Sequence, residues 1–205
     1  MYIGIMDLIR KCDHARVAFA FGTLLSGVVV VSPGMVDGAI AAKENDITRL
    51  IETNECRGCD LHEADLRRLD LSGADLSGAD LEGANFYYAN LDGAQLTDAN
   101  LIDVNLGYAS AKGTLFNGSD LRFAIFDHTD FTGASLINTD LREAYIDDTD
   151  FTGTILNGAD MRDTLVFNAD FSQASLCGAI TWAGTEYRSG CNVAVPEQLD
   201  DEFGR

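Results

Sequence analysis

The sequence predicts an all-β solenoid, a chain that coils repeatedly around one narrow core. A large apolar residue returns every five positions from Leu61 to Leu176, and Ala111 is the one exception. A small residue stands two positions earlier in most of these groups, from Ala64 to Ala174. A helix repeats every 3.6 residues and a strand every two, so neither explains a period of five. Two inward residues in each group describe a chain that turns a corner every five residues.

A longer period indicates how many corners make one coil. Residues 119–138 and 139–158 share 11 identities in 20 positions, whereas a shift of ten positions yields five. Twenty residues are four groups of five, so we expect a four-sided solenoid. Residues 59–178 would then form about six coils of 20 residues each.

The segment before the repeats, residues 1–41, has the composition of a secretory signal peptide. Three basic residues within residues 10–16 precede an uncharged apolar run at residues 17–31, and a small-x-small sequence ends at Ala41. We therefore expect cleavage after Ala41. The alternative is a permanent membrane anchor, which needs about 20 apolar residues. Contact with a membrane is expected only through this leader, if it is not cleaved.

Residues 42–58 are expected to form an N-terminal capping helix and a linker. The Asn-Asp pair at residues 45–46 is typical of a helix N-cap, and Ile47, Leu50 and Ile51 follow at helical spacing. Because an open end of a solenoid exposes its core and its strand edges, we expect this helix to lie over the first coil.

Residues 179–205 are expected to form a short C-terminal cap and tail. Trp182 and Tyr187 could cover the last coil, and Pro196 could begin a short helix that extends to about residue 203.

Near the start of the repeats, residues 74–86 read ADLSGADLEGANF. This pattern resembles the pentapeptide-repeat family, whose repeat is A(D/N)LXX, and the resemblance covers residues 59–178. It implies a right-handed quadrilateral β-helix with the large and the small residue inside. Within the family, the chain is similar to exported members of the bacterial periplasm and of the thylakoid lumen, which implies either of these locations.

The composition limits the classes of function. The chain has 14 Lys plus Arg and 33 Asp plus Glu, a formal net charge of -19. This charge repels nucleic acid and suits cations or basic proteins. The carboxylates are expected at outward positions of a convex column, whereas catalysis requires a desolvated pocket. We therefore predict no enzymatic activity, no catalytic, cofactor-binding or metal-binding residues, and no direct nucleic-acid binding.

The cysteines suggest an oxidising compartment. Cys56 and Cys59 form a CxxC motif, which could be a redox pair, a metal site or a structural disulfide. Structural zinc normally takes four protein ligands and only His62 is nearby, so we favour a buried pair or a local disulfide. Cys177 could pair with Cys191 and tie the C-terminal cap to the last coil. The four cysteines that follow the leader allow three pairings, so the connectivity stays open.

Residues 20 positions apart should stack, which predicts a column of aspartates on one face. Asp130, Asp150 and Asp170 have only threonine or serine two positions later, so we expect an uncompensated acidic stripe. The stripe either keeps the protein soluble or binds a cation or a basic partner.

A second column gathers aromatic and aliphatic residues where other faces are polar. Its members are Tyr88, Tyr108 and His128, with Ile125, Tyr145, Leu165 and Phe167 close by. Exposed apolar patches often mark contact sites, so this face could bind a protein partner or a second copy of the chain. The alternative is ordinary side-chain stacking along a β surface.

Two functions follow from the sequence and the resemblance. The first is an exported structural or protein–protein interaction module with an unidentified partner. The second is an acidic DNA mimic that binds DNA gyrase or another topoisomerase, as other family members do. The leader favours the first function, because gyrase is not outside the membrane.

Overall fold

The computed structural model describes residues 38–187, which contain one helix and a stack of short parallel β segments. Helix α1 spans Gly38–Thr53. Strands β1 (Ile125–Asp127), β2 (Tyr145–Asp147) and β3 (Leu165–Phe167) form a parallel sheet in the order β1-β2-β3. Most of the predicted signal peptide, and the predicted C-terminal helix, lie outside the described residues.

Each β segment pairs with the segment at the same position of the next coil. Single parallel bridges begin at Glu55↔Asp75 and continue to Asp160↔Ile180, and β1 to β3 keep the same register. The predicted period of the coil is therefore confirmed, and four groups of five residues make each coil of a quadrilateral β-helix.

Each group of five turns its corner with the same few interactions, as residues 70–74 illustrate. The carboxylate of Asp70 accepts a hydrogen bond from the Ser72 backbone N–H at 3.2 Å, and the Ala74 N–H donates to the Leu71 carbonyl at 3.0 Å. Gly73 has a φ of 67°. Asp and Asn favour such side-chain turns, which explains why one of them precedes the large apolar residue in most groups.

The large and small inward side chains fill one continuous core. Ala111 is fully buried despite its small volume. Threonine or serine replaces the small alanine in later coils, where its hydroxyl donates to a backbone carbonyl: Thr129 to Leu106 at 2.9 Å and Thr154 to Phe131 at 2.9 Å. Within the described residues, no buried side-chain polar atom lacks a hydrogen-bond partner.

The position of α1 corrects the predicted helix start. The helix already begins at Gly38, because residues 38–44 contain alanine, lysine and glutamate, which favour helix. Asp46 does not cap the helix; its carboxylate accepts a hydrogen bond from the Asp60 N–H at 2.9 Å. Ile47 and Leu50 pack on the core, whereas Ile51 is 43% exposed. One residue turns a helix by about 100°, which carries Ile51 off the inner face.

The first coil also begins earlier than predicted. Glu55 pairs with Asp75, and Cys56 is fully buried at the large inward position, one group before Leu61. Cys56 was not predicted among the large inward residues because cysteine is smaller than leucine, although a buried cysteine behaves as a small hydrophobe.

At the other end, pairing continues past residue 178 and the chain folds back. Trp182 stacks on Phe171 with ring centroids 5.8 Å apart. Tyr187 donates its N–H to the Ala179 carbonyl at 2.7 Å and accepts from the Gly178 N–H at 2.9 Å. Trp182 and Tyr187 are partly buried against the core.

Candidate functional site

The residues of the predicted interaction face lie along one edge of the solenoid, which we call the aromatic corner. Strand register places Tyr145 between Ile125 and Leu165. The aromatic corner comprises Tyr87, Tyr88, Tyr108, His128, Ile125, Tyr145, Leu165 and Phe167.

Three rings of the aromatic corner stack in a column along the solenoid axis. The Tyr88 and Tyr108 centroids are 4.9 Å apart with an interplanar angle of 28°, and those of Tyr108 and His128 are 4.6 Å apart at 10°. Tyr87 meets Tyr88 edge to face at 4.7 Å and 82°. These are the separations at which aromatic pairs attract. The sequence had placed the three stacked rings together but had not assigned Tyr87 to them.

Gly107 explains how Tyr87 joins the aromatic corner. A Cβ atom at residue 107 would lie 3.1 Å from Cδ2 of Tyr87, so only glycine lets the ring lie this close to the next coil. The available sequence signal was this pairing of a glycine with a tyrosine one coil earlier.

The backbone under the ring column has an unusual conformation for these residue types. Tyr88, Tyr108 and His128 have φ values of 61°, 57° and 54°, in the left-handed region. This conformation costs an L-residue roughly 1–2 kcal/mol, and glycine would avoid the cost. Non-glycine residues at other corners, among them Phe123 and Glu143, adopt the same conformation, so it does not by itself distinguish the ring column.

The upper part of the aromatic corner is extended. Its outward residues Ile125, Tyr145 and Leu165 occupy the positions where most groups carry Asp or Asn. The chain there forms strands β1 to β3 instead of tight turns. Leu165 is 58% exposed, and the rings of Tyr145 and Phe167 lie 6.0 Å apart.

Carboxylates surround the histidine end of the ring column. The Nδ1 atom of His128 lies 2.6 Å from an Asp127 carboxylate oxygen, and its Nε2 atom lies 3.7 Å from Asp148. The hydrogen bond with Asp127, followed by the charge of the neighbouring carboxylates, raises the pKa of His128 above its ordinary value. Desolvation, followed by the charge of Asp127, raises the pKa of Tyr108.

The acidic stripe is less uniform than predicted. Asp130, Asp150 and Asp170 do stack, but Lys112 forms a 2.9 Å ion pair with Asp130. The prediction of an uncompensated stripe is therefore wrong at Asp130. Lys112 precedes Asp130 by two positions fewer than a full coil, so their side chains meet diagonally between neighbouring coils. A comparison of residues exactly one coil apart does not reveal such pairs.

A neighbouring face shows aspartates that are regularly paired with arginines. Asp120, Asp140 and Asp160 each bind the arginine two positions later, with N–O distances of 2.7, 2.6 and 2.5 Å. Arg122 also reaches Asp140, at 3.7 Å, so the pairs connect adjacent coils. The stacked like charges on this face are thus compensated by the chain itself.

The cysteines lie at the two ends of the repeats. Cys56 and Cys59 form a disulfide under α1, and the Arg49 guanidinium donates to both sulfur atoms. Cys177 is also disulfide-bonded. Its expected partner, Cys191, lies outside the described residues, so that pairing stays a prediction.

Within residues 38–187, two groups of side chains have the composition of metal ligands. Asp46 lies near Cys56 and Cys59, but the disulfide occupies both sulfur atoms. His62, Asp80 and Glu82 offer ligand atoms within 4.8 Å of one another. The amide of Asn100 already donates to both of these carboxylates, at 2.9 and 3.3 Å.

The helix content is also relevant to membranes. Within residues 38–187, no helix has both the length and the apolar character that a bilayer span requires.

Comparison with known proteins identifies the repeats. The family description "Pentapeptide repeats" matches in eight copies, over residues 64–101, 79–118, 99–136, 116–153, 124–163 and 144–180. These matches span more than half of the chain. No curated protein sequence matches.

Several solved structures are similar to this chain. A pentapeptide repeat protein (Rfr23) from the cyanobacterium Cyanothece 51142 is 26% identical over 63% of this chain and 95% of its own, with a TM-score of 0.44. A pentapeptide repeat protein of the Arabidopsis thaliana thylakoid lumen is 26% identical over 56% and 66%, with a TM-score of 0.27. QnrB1, a plasmid-mediated fluoroquinolone resistance protein, is 28% identical over 55% and 61%, with a TM-score of 0.33.

Proposed function

Because this chain belongs to the pentapeptide-repeat family, we propose that it is a non-catalytic, exported module that binds a protein partner through the aromatic corner. The observation that carries the proposal is the column of stacked tyrosine and histidine rings beside the exposed side chains of Leu165 and Phe167. Aromatic side chains are enriched where proteins bind one another.

The proposed architecture is a right-handed β-helix of about six coils closed by two caps. Helix α1, through Ile47 and Leu50, would close the first coil, and Trp182 with Tyr187 would close the last. Closed ends suit a module that binds along its side, because open ends would pair with other chains.

Export is supported by the composition of residues 1–41 and by the Cys56–Cys59 disulfide. Disulfides persist in oxidising compartments such as the periplasm and are rare in the cytosol. We place the mature protein in the periplasm or the thylakoid lumen. The intact mass of protein recovered from its own cells tests this: a chain that starts at Ala42 is expected, and a full-length chain with all thiols free would contradict export.

A pair of isoleucines provides a matched test of the interaction face. Ile125 and Ile155 are both 38% exposed and occupy equivalent outward positions, but only Ile125 belongs to the aromatic corner. We expect Ile125→Glu to abolish recovery of the cross-linked native partner, identified by mass spectrometry, and Ile155→Glu to preserve it. Equal recovery with both variants would contradict the proposed face.

The same variants distinguish a second copy from a different partner. If the protein sediments as a dimer and Ile125→Glu makes it monomeric while Ile155→Glu does not, the partner is another copy of this chain. If the wild-type protein sediments as a monomer, the partner is a different protein.

The formal net charge of -19 favours a second candidate function, the acidic mimic of DNA. A negatively charged column could compete with DNA for a basic groove of a topoisomerase. Inhibition of gyrase supercoiling by residues 42–205 at stoichiometric concentration would support this candidate, and full supercoiling activity would exclude it.

A further inference from the structure

The geometry of the aromatic corner points to a partner segment that carries arginine. We infer that one guanidinium group lies against the exposed Tyr88 ring, at one end of the ring column, and that another pairs with the carboxylates of the acidic cluster at the histidine end, which we define as Asp127, Asp147 and Asp148. This inference rests on the proposed function and specifies the chemistry of the partner.

The first reason is the arrangement of charges in the acidic cluster. Asp127 and Asp147 are register partners on β1 and β2, so two carboxylates stack directly across neighbouring strands. Like charges placed opposite each other destabilise a sheet. Among the described residues, the Asp147 carboxylate accepts hydrogen bonds only from neutral donors, the Tyr145 hydroxyl at 3.0 Å and the Asn168 amide at 3.4 Å.

The second reason is a contrast with the face that carries Asp120, Asp140 and Asp160. There the chain supplies an arginine for each aspartate. Among the ion pairs within residues 38–187, neither lysine nor arginine reaches the acidic cluster, and its ionic contacts are with His128. A cation from a partner would therefore neutralise the acidic cluster, as the arginines of the chain neutralise the aspartates of the neighbouring face.

The third reason is the aromatic surface beside the acidic cluster. Tyr88 is 49% exposed. The Tyr87 ring is nearly perpendicular to the Tyr88 ring, so the corner presents both a ring face and a ring edge. Guanidinium groups stack on aromatic rings, and they also bind carboxylates with two hydrogen bonds. A lysine ammonium pairs only as a point charge, so arginine fits this combination of groups better.

The inference is tested with three fluorescent peptides that alternate glycine with arginine, lysine or the neutral arginine analogue citrulline. Binding to the wild-type protein is measured by fluorescence anisotropy at physiological salt, where general attraction over distances beyond about 8 Å is screened. We expect the arginine peptide to bind most tightly and the citrulline peptide to bind most weakly.

Two variants separate the aromatic contribution from charge. Tyr88→Leu/Tyr108→Leu keeps the net charge and removes the exposed ring together with the ring that supports it, and we expect it to weaken binding of the arginine peptide at least 2-fold, since an exposed cation–π contact contributes roughly 0.5–1 kcal/mol. If the double variant does not fold, as judged by circular dichroism, Tyr88→Leu alone should weaken binding at least 2-fold.

The second comparison is Asp147→Asn with Asp150→Asn, which remove the same charge from different faces. We expect Asp147→Asn to weaken binding of the arginine peptide more than Asp150→Asn does. Equal binding of the arginine and lysine peptides, with no effect of the tyrosine substitutions, would overturn the inference.

The outcomes also distinguish this inference from the proposed function. If Ile125→Glu abolishes recovery of the native partner but the tyrosine variants bind the arginine peptide normally, the interaction face stands and its arginine chemistry is wrong. If the tyrosine variants lose the peptide but Ile125→Glu leaves partner recovery intact, the corner recognises arginine and the proposed function is wrong.

Discussion

Two corners of the solenoid share one backbone conformation and differ in their side chains. The glycine corner has glycine at its left-handed turn position in each coil from Gly73 to Gly153. The aromatic corner has no glycine at the equivalent turn position. That column consists of Arg68, Tyr88, Tyr108, His128, Asp148 and Asn168.

The comparison shows that the aromatic corner does not have the residues that suit its backbone best. Glycine enters the left-handed region without steric cost, and an L-residue does not. Six consecutive coils carry the costly choice at one corner, while five coils of the other corner avoid it. The side chains of the aromatic corner therefore offset the backbone cost, through their stacking, their function or both.

We expect the core residues beneath the two corners to contribute equally to the free energy of unfolding. Truncation of one core side chain under each corner tests this and should give the largest effects. Phe126 lies under the aromatic corner and Phe131 under the glycine corner; both are fully buried, and their ring centroids are 5.1 Å apart. Phe126→Ala and Phe131→Ala should each reduce the free energy of unfolding by about 3–5 kcal/mol, measured by urea denaturation. Phe167→Ala, at an exposed site, should change it by less than about 0.5 kcal/mol. A loss confined to one core variant would break the comparison.

A substitution at the glycine corner measures the backbone cost directly. A Cβ atom at Gly153 would meet no atom within 4 Å, so Gly153→Ala changes the backbone preference without a clash. We expect the free energy of unfolding to fall by about 1–2 kcal/mol. Thr152→Ala, at the preceding residue, is the control and should have a smaller effect. Equal stability of Gly153→Ala and wild type would show that this corner tolerates any residue.

The reciprocal substitution, Tyr108→Gly, sharpens the comparison. It relieves a backbone cost of about 1–2 kcal/mol and removes stacking on Tyr88 and His128, each contact contributing about 0.5–1.5 kcal/mol. The two terms oppose each other, so we expect the free energy of unfolding to change by no more than about 2 kcal/mol in urea denaturation. A much larger loss would show that the ring column serves stability, the alternative left open by the sequence.

The smallest expected effect concerns the charge of the aromatic corner. The hydrogen bond to Asp127 raises the pKa of His128, so the folded state favours the protonated ring. The resulting stabilisation is complete below the ordinary pKa of histidine, about 6.5, and is lost as the pH rises through the raised value. In an NMR titration, Asp127→Asn should lower the pKa of His128 and leave the His62 signal unchanged. An unchanged pKa of His128 would contradict the role of Asp127.

Much of the fold was predictable because the repeat encodes it locally. The position of each large apolar residue, the Asp or Asn before it and the period of the coil all appear in the chain itself, and the pairing confirms the period. The ends were harder to predict. Cys56 lacks the size of the other inward residues, and Asp46 looks like a helix cap but binds the first coil. Each contact at an end of the solenoid occurs only once, so it does not appear as a repeated pattern in the sequence.

The contacts of the candidate site were likewise predictable only in part. Vertical neighbours are separated by one full coil throughout the solenoid, so the stacking of Tyr88, Tyr108 and His128 follows from the period. The diagonal pair of Lys112 with Asp130 depends instead on how far a side chain reaches between coils, which counting along columns does not show.

The sequence by itself determined the repeat, the period of the coil, the inward residues and the columns on each face, because these depend on spacing along the chain. Tertiary structure alone decided which charges are paired and how Tyr87 joins the ring column over Gly107. These features depend on distances of a few ångströms between side chains on different coils. A pattern of residue types specifies which side chains are neighbours, but the folded backbone decides which of them touch.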